Sequence, residues 1–140
     1  MIDSVRSLIP STSEKLDKRY DIVGFNISCD DPKALHQALC KVEMAMQPMP
    51  LSEIEQRLTA LTLLINTSKD FDPDFMALKR KALAMELVQY PADIVLRAFD
   101  SIKNSTKFWP TWAEFHEFIG WRYRPRKLLR DAIKKQLDRI

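Results

Sequence analysis

PADIVLRAFDSI, the sequence of residues 91–102, predicts an amphipathic helix by itself. Pro91 suits the first helical position because its fixed φ matches the helical value, and Asp93 in the first turn complements the helix dipole. Apolar residues then recur at the spacing of one helix face. We expect five side chains of this stretch to point inward: Ile94, Val95, Ala98, Phe99 and Ile102.

Four similar helix starts lie on both sides of this stretch. Two are aspartate-proline pairs, in which an N-cap carboxylate precedes a proline suited to the first turn. Two are capping boxes, in which each side chain accepts a hydrogen bond from the other residue's backbone N–H. In chain order they are Asp31-Pro32, Ser52 with Glu55, Asp72-Pro73, and Thr111 with Glu114. The helix that begins at Asp72 carries an apolar side made of Phe75, Leu78, Ala82, Met85 and Val88.

The remaining sequence also favours helices over strands. Only two glycines occur, whereas strand-rich proteins use glycine in tight turns and bulges. Residues 1–30 show no sustained helical period and are expected to form a flexible N-terminal arm that docks at Ile22, Val23 and Phe25. We predict an all-α fold, a compact bundle of five or six helices. Its predicted parts are the arm, a helical domain over 31–125 and a basic amphipathic C-terminal helix over 126–140.

Length and composition limit the class of protein. A chain of 140 residues with 46% hydrophobic and 29% charged residues is expected to form one globular domain. Residues 1–10 lack the apolar core of a secretion signal, and no segment approaches the roughly 18 apolar residues of a membrane span. We therefore expect a soluble, cytoplasmic protein that binds no membrane. Cys29 and Cys40 are expected to be free thiols in a reducing compartment, with a disulfide between them as the alternative.

No motif of catalysis or cofactor binding is recognisable in the chain. Glycines are too few for a phosphate-binding loop, and neither Gly-x-Ser-x-Gly nor His-Glu-x-x-His occurs. His36 and His116 are the only histidines, and the chain has no closely spaced pair of cysteines or pair of histidines, so it does not match zinc-ligand spacing. Glu114 and Glu117 resemble an acid-base pair only in spacing, and nothing indicates the buried setting that such chemistry needs. We expect no enzyme activity, no metal and no cofactor.

Charge is unevenly distributed along the chain. Residues 121–140 contain eight basic and two acidic residues, although the whole chain has a net charge of only +3. Residues 1–120 are therefore slightly acidic. This asymmetry predicts a basic surface for an anionic partner, and the alternative is a solvated helix face.

Aromatic residues lie next to these basic ones in residues 109–127, which we call the aromatic-basic segment. Tryptophan and arginine are enriched at hot spots of protein interfaces, and aromatic and cationic side chains together bind single-stranded nucleic acids. The alternatives are a helical core, which we expect for Phe115 and Ile119, and a solvated linker for the basic residues. The predicted contact residues are Trp109, Trp121, Arg122, Tyr123, Arg124, Arg126 and Lys127.

The chain from about Lys79 to Arg126 resembles helical phage and prophage replication proteins of the helicase-loader type. The resemblance is carried by ELVQYPAD at residues 86–93 and KFWPTWAEF at residues 107–115. The second stretch matches a Phe-x-Pro-[Ser/Thr]-x-x-[Glu/Gln]-[Phe/Leu] turn and helix at Pro110, Thr111, Glu114 and Phe115. The resemblance implies a non-enzymatic protein that binds a replicative helicase or another replisome component and helps to place it on DNA.

Three functions follow as expectations. The first is a helicase-loader-like adaptor that binds a protein partner through the aromatic-basic segment. The second is a module that binds DNA or RNA directly through the basic C-terminal segment. The third is a structural protein that forms homo-oligomers through its last helix, whose apolar edge has no evident partner in the sequence.

Overall fold

A computed structural model describes residues 1–65, 72–105 and 109–140 of the chain. Within these residues the protein has six helices and a two-stranded sheet, which confirms the prediction of a mainly helical fold. No helix of this described part is long and apolar enough to cross a membrane. The elements are α1 (Ile2–Leu8), β1 (Ser13–Leu16), β2 (Ile22–Asn26), α2 (Pro32–Met44), α3 (Leu51–Leu64), α4 (Pro73–Leu87), α5 (Ala92–Ser105) and α6 (Trp112–Arg139).

Both aspartate-proline pairs begin helices as predicted. The Asp31 carboxylate accepts a hydrogen bond from the Lys33 backbone N–H at 3.0 Å. The Asp72 carboxylate accepts bonds from the backbone N–H groups of Asp74 and Phe75 at 3.0 and 3.5 Å. These bonds satisfy N–H groups that have no partner within the helix. The sequence signal and the backbone geometry agree at α2 and α4.

The capping box predicted at Ser52 and Glu55 is not formed. The N-cap position of α3 is Pro50, and no side chain makes a capping hydrogen bond there. Because α3 already begins at Leu51, Ser52 lies inside the first turn, and its hydroxyl is not at the N-cap position. At the start of α6, by contrast, the Glu114 backbone N–H donates to the Thr111 hydroxyl at 3.4 Å.

Residues 1–30 fold rather than form a flexible arm, which corrects the prediction. They contain α1 and the antiparallel pair β1–β2, and they place Val5, Ile9 and Phe25 in the core. Helix α1 has only seven residues, so its apolar residues Ile2, Val5 and Leu8 span too few turns to give a recognisable period. All four residues of β1 are exposed, and the strand therefore lacks the alternation that predicts a half-buried strand.

The chain divides into two compact units. The terminal unit comprises residues 1–46 and 122–140, and the central unit comprises residues 47–121. This division differs from the predicted boundaries after residues 30 and 125. Helix α6 contributes residues to both units. It also continues through Pro125, where the sequence predicted a break. Proline lacks the backbone donor for the Trp121 carbonyl, and its ring crowds that carbonyl, which weakens a helix at this point. The helical backbone of α6 nevertheless continues on both sides of Pro125.

In the terminal unit, α1, β2, α2 and α6 surround one apolar core. Two polar side chains of α6 also make contacts within this unit, one with a backbone carbonyl and one with a carboxylate. The Gln136 side-chain amide donates to the Cys29 carbonyl at 2.8 Å, and the Lys134 ammonium lies 3.7 Å from the Glu43 carboxylate. The core consists of Val5, Ile9, Phe25, Leu35, Ala38, Val42, Leu129 and Ile133.

In the central unit, α5 packs as its sequence predicts. All five expected inward side chains are buried, and the Phe99 ring meets the Phe115 ring edge-on at 5.6 Å between centroids. Phe115 and Ile119 are fully buried, which confirms the core alternative for these two residues. The Ala92 backbone N–H donates to the Gln47 carbonyl at 3.0 Å and ties the start of α5 to the segment before α3.

Candidate functional site

Helix α4 exposes an apolar face to solvent. Phe75, Leu78 and Met85 have exposed fractions of 55%, 65% and 57%, and Ala82 between them is exposed as well. Their spacing places all four on one side of the helix. We call these four residues the α4 outer face. A continuous exposed apolar surface of this kind is typical of a binding site, whereas scattered apolar residues are ordinary.

The opposite side of α4 faces the core of the central unit. It buries Met76, Leu83, Ala84 and Leu87, and α3 packs against α4. The sequence placed Phe75, Leu78, Ala82, Met85 and Val88 on one side, and the first four do share a face. Helix α4 thus has two apolar stripes. The predicted stripe is the outer one. The second stripe, which begins at Met76, is the sequence signal for a second apolar face.

Cationic side chains border the α4 outer face. The Lys79 ammonium lies 4.9 Å from the centroid of the Phe75 ring, which is the geometry of a cation–π interaction. Lys81 is also exposed and, at helical spacing, lies on the other side of the stripe from Lys79. The carboxylates on this side belong to Asp74 and Glu86, near the two ends of the helix. The middle of the face therefore has positive borders.

Two further leucines extend the exposed apolar surface of the central unit. Leu63 and Leu64 lie at the carboxyl end of α3 and are both strongly exposed. Neither side chain contributes to the buried set of α3, which consists of Ile54, Leu58 and Leu61. The outer surface of this unit therefore has apolar side chains on both α3 and α4.

The tryptophans of the aromatic-basic segment differ in their surroundings. Trp121 has 67% of its surface exposed. Trp109 is half-buried, and its indole N–H is buried without a hydrogen-bond partner among the described residues. Trp112 packs against Tyr90 and His116, with ring centroids 6.1 and 5.6 Å away. Of the three indoles, Trp121 presents the most accessible ring. Lys107 and Phe108, which belong to the helicase-loader resemblance, lie outside the described residues.

The other predicted contact residues belong to the terminal unit. The Arg126 guanidinium is half-buried and donates to the Ala45 carbonyl at 2.6 Å, at the carboxyl end of α2. A cation at this position also interacts favourably with the helix dipole. Tyr123 is half-buried, whereas Arg122, Arg124 and Lys127 are exposed. Arg126 thus has a clear structural contact, and the three exposed cations lie on the surface of α6.

The arrangement of polar groups offers no cluster suited to metal chemistry within the described part of the chain. No three histidine, cysteine, aspartate or glutamate side chains there are placed to hold an ion. Cys29 and Cys40 are free thiols, one half-buried and the other exposed. The features with binding character are therefore the α4 outer face and the exposed cations of α6.

Comparison with protein-family models, curated proteins and solved structures finds no match to this chain.

Proposed function

We propose that this protein is a non-catalytic accessory protein that binds a protein partner through the α4 outer face. The observation that carries this proposal is the exposure of Phe75, Leu78 and Met85 on one side of a helix whose other side is buried. Amphipathic helices with apolar anchors at such spacing commonly dock onto partner surfaces. Covering this apolar area removes it from water and contributes about 25 cal/mol for each Å² covered, before the entropic costs of association are subtracted.

The partner that we propose is a replicative helicase or another replisome component. This part of the proposal rests on the resemblance of residues 79–126 to helicase-loader proteins, in particular ELVQYPAD at 86–93 and KFWPTWAEF at 107–115. The α4 outer face partly overlaps that region, because Ala82 and Met85 lie within it. The protein would then act as an adaptor, and the partner would carry out the chemistry.

A binding measurement with a purified bacterial replicative helicase tests this function. The wild-type chain is compared with Leu78→Glu, which places a charge in the α4 outer face while keeping a good helix former. Met44→Glu is the matched control, because Met44 is 69% exposed but belongs to α2 in the terminal unit. We expect Leu78→Glu to weaken binding at least about tenfold, equivalent to about 1.4 kcal/mol. Equal binding by all three proteins, or no binding by the wild type, would overturn the proposal.

Direct binding of DNA or RNA is the second candidate function. It is favoured by the exposure of Arg124, Lys127 and Lys135 on α6, because cations on one surface attract the phosphate backbone. Fluorescence anisotropy with single- and double-stranded oligonucleotides at two salt concentrations tests it. Salt-sensitive binding that is lost in an Arg124→Glu/Lys127→Glu variant supports this function, and absence of binding at low salt excludes it.

A further inference from the structure

We propose that the partner of the α4 outer face presents an amphipathic helix whose apolar edge is bordered by acidic side chains. This inference rests on the proposed function and specifies the chemistry of the partner. It comes from the shape of the face and from the charges around it. The competing occupant is a second copy of this chain.

The shape of the face matches a helix. Its first and last anchors, Phe75 and Met85, are ten residues apart, which is about 15 Å along a helix. Leu78 lies between them at the i+3 position, and the small side chain of Ala82 leaves a shallow site in the same row. Anchors at i, i+3 and i+10 with a small residue between them suit a partner helix of about three turns.

The charges around the face specify the borders of that partner helix. Lys79 and Lys81 flank the middle of the stripe on its two sides, and both are exposed. The contact of the Lys79 ammonium with the Phe75 ring keeps one of these charges beside the apolar row. Acidic side chains on both sides of the partner's apolar edge would meet these ammonium groups. Such complementarity increases the association rate and disfavours partners with the wrong charge.

The same charges disfavour a second copy of the chain. In a two-fold antiparallel pairing, Phe75 of one copy faces Met85 of the other, and Leu78 faces Ala82. Because the two-fold axis keeps each border of the stripe on the same side, this register brings Lys79 close to Lys79 of the other copy and Lys81 close to Lys81. Both central pairs carry like charges, which is unfavourable, whereas Asp74 and Glu86 lie five residues, about 7.5 Å along the axis, from the ammonium groups of the other copy. The apolar side chains of two copies would therefore fit each other, but the charged side chains that border them would not.

Two synthetic helical peptides provide the probe for this inference. Both have 18 residues, a fluorescein label and leucines at positions 3, 6, 10 and 13, and they differ only in having glutamates or lysines beside the leucine row. Anisotropy titrations at low and high salt measure their affinities for the full chain. We expect the glutamate peptide to bind at least tenfold more tightly at low salt, with the difference shrinking at high salt.

Charge reversal on the protein provides the control. The Lys79→Glu/Lys81→Glu variant is expected to prefer the lysine peptide, whereas Lys33→Glu/Lys41→Glu on α2 should keep the wild-type preference. Circular dichroism verifies that each variant is helical. Equal affinities for the two peptides, no binding of either peptide, or concentration-dependent dimers that Leu78→Glu dissociates would each overturn the inference.

The outcomes separate this inference from the proposed function. If the wild-type chain binds the helicase, Leu78→Glu does not, and both peptides bind equally, the proposed function is supported. The proposal of an acidic-bordered partner helix is then refuted. If the glutamate peptide binds selectively and the helicase does not bind, the proposed chemistry of the partner helix is supported. The proposal that the partner is a replicative helicase is then refuted.

Discussion

Truncating the two sides of α4 should have very different effects on stability. Leu83 is only 7% exposed and lies on the inner side, whereas Leu78 is 65% exposed and lies on the outer face. We predict that Leu83→Ala lowers the free energy of unfolding by about 2–5 kcal/mol, because it leaves a cavity in a packed core. The matched Leu78→Ala variant should cost much less.

The smaller value follows from the exposure of Leu78. About a third of this residue is covered, and full burial of a leucine contributes about 1.5–3 kcal/mol, so the loss is at most about 0.5–1 kcal/mol. Alanine also has a slightly higher helix propensity than leucine, which offsets part of this loss. We therefore expect Leu78→Ala to change the free energy of unfolding by about 0.5 kcal/mol.

Urea denaturation followed by far-UV circular dichroism measures both variants under the same conditions. Unchanged m-values would show that the surface exposed on unfolding is the same in each protein. A destabilisation by Leu78→Ala equal to that by Leu83→Ala would refute the assignment of the two faces. A docking site on α4 would then have no basis, because Leu78 would be part of the core.

Three other substitutions test local features of the fold in the same denaturation assay. Asp72→Ala removes the N-cap of α4 and should cost about 1 kcal/mol; an unchanged free energy of unfolding would contradict the observed cap. Arg126→Met removes the donor to the Ala45 carbonyl and should lower the free energy of unfolding by about 1.5–3 kcal/mol. Lys127→Met at the exposed neighbouring position should lower it by less than about 0.5 kcal/mol. Equal losses in the two variants would show that the bond contributes nothing to stability. Tyr20→Asn should raise the free energy of unfolding by up to about 1 kcal/mol, because Tyr20 has a φ of 64° and asparagine adopts this region more readily; a loss of stability would argue against relief of strain there.

The sequence predicted those parts of the fold in which a local signal and the tertiary packing agree. In α5 a single apolar stripe allows only one inward face, and the structure buries that stripe. Helix α4 has two apolar stripes, and either could in principle be buried. The position of α3 determines which one is buried, and the local sequence pattern does not specify that position. Residues 1–30 lacked a period because α1 is short and β1 is exposed on both faces. Their burial depends on packing against α2 and α6, and α6 lies near the other end of the chain.

The candidate site was predictable only in part, for related reasons. The composition of the aromatic-basic segment located an accessible indole, Trp121, and exposed cations such as Arg124 and Lys127. It did not distinguish these from Arg126, whose bond to Ala45 joins residues 81 positions apart. The outer face of α4 required knowledge of which stripe was buried. The sequence therefore identified residue types suited to binding. The tertiary structure was needed to distinguish the exposed side chains from those that pack or bond within the fold.

Nuclear magnetic resonance of the ¹⁵N-labelled full chain, titrated with the glutamate-bordered peptide, shows directly whether α4 is the docking surface. We predict that the amide shift changes concentrate on α4 between Phe75 and Met85. Leu78→Glu should abolish these changes, whereas Met44→Glu should leave them intact. Shift changes that concentrate instead on residues 122–127 of α6, with α4 unaffected, would contradict the account.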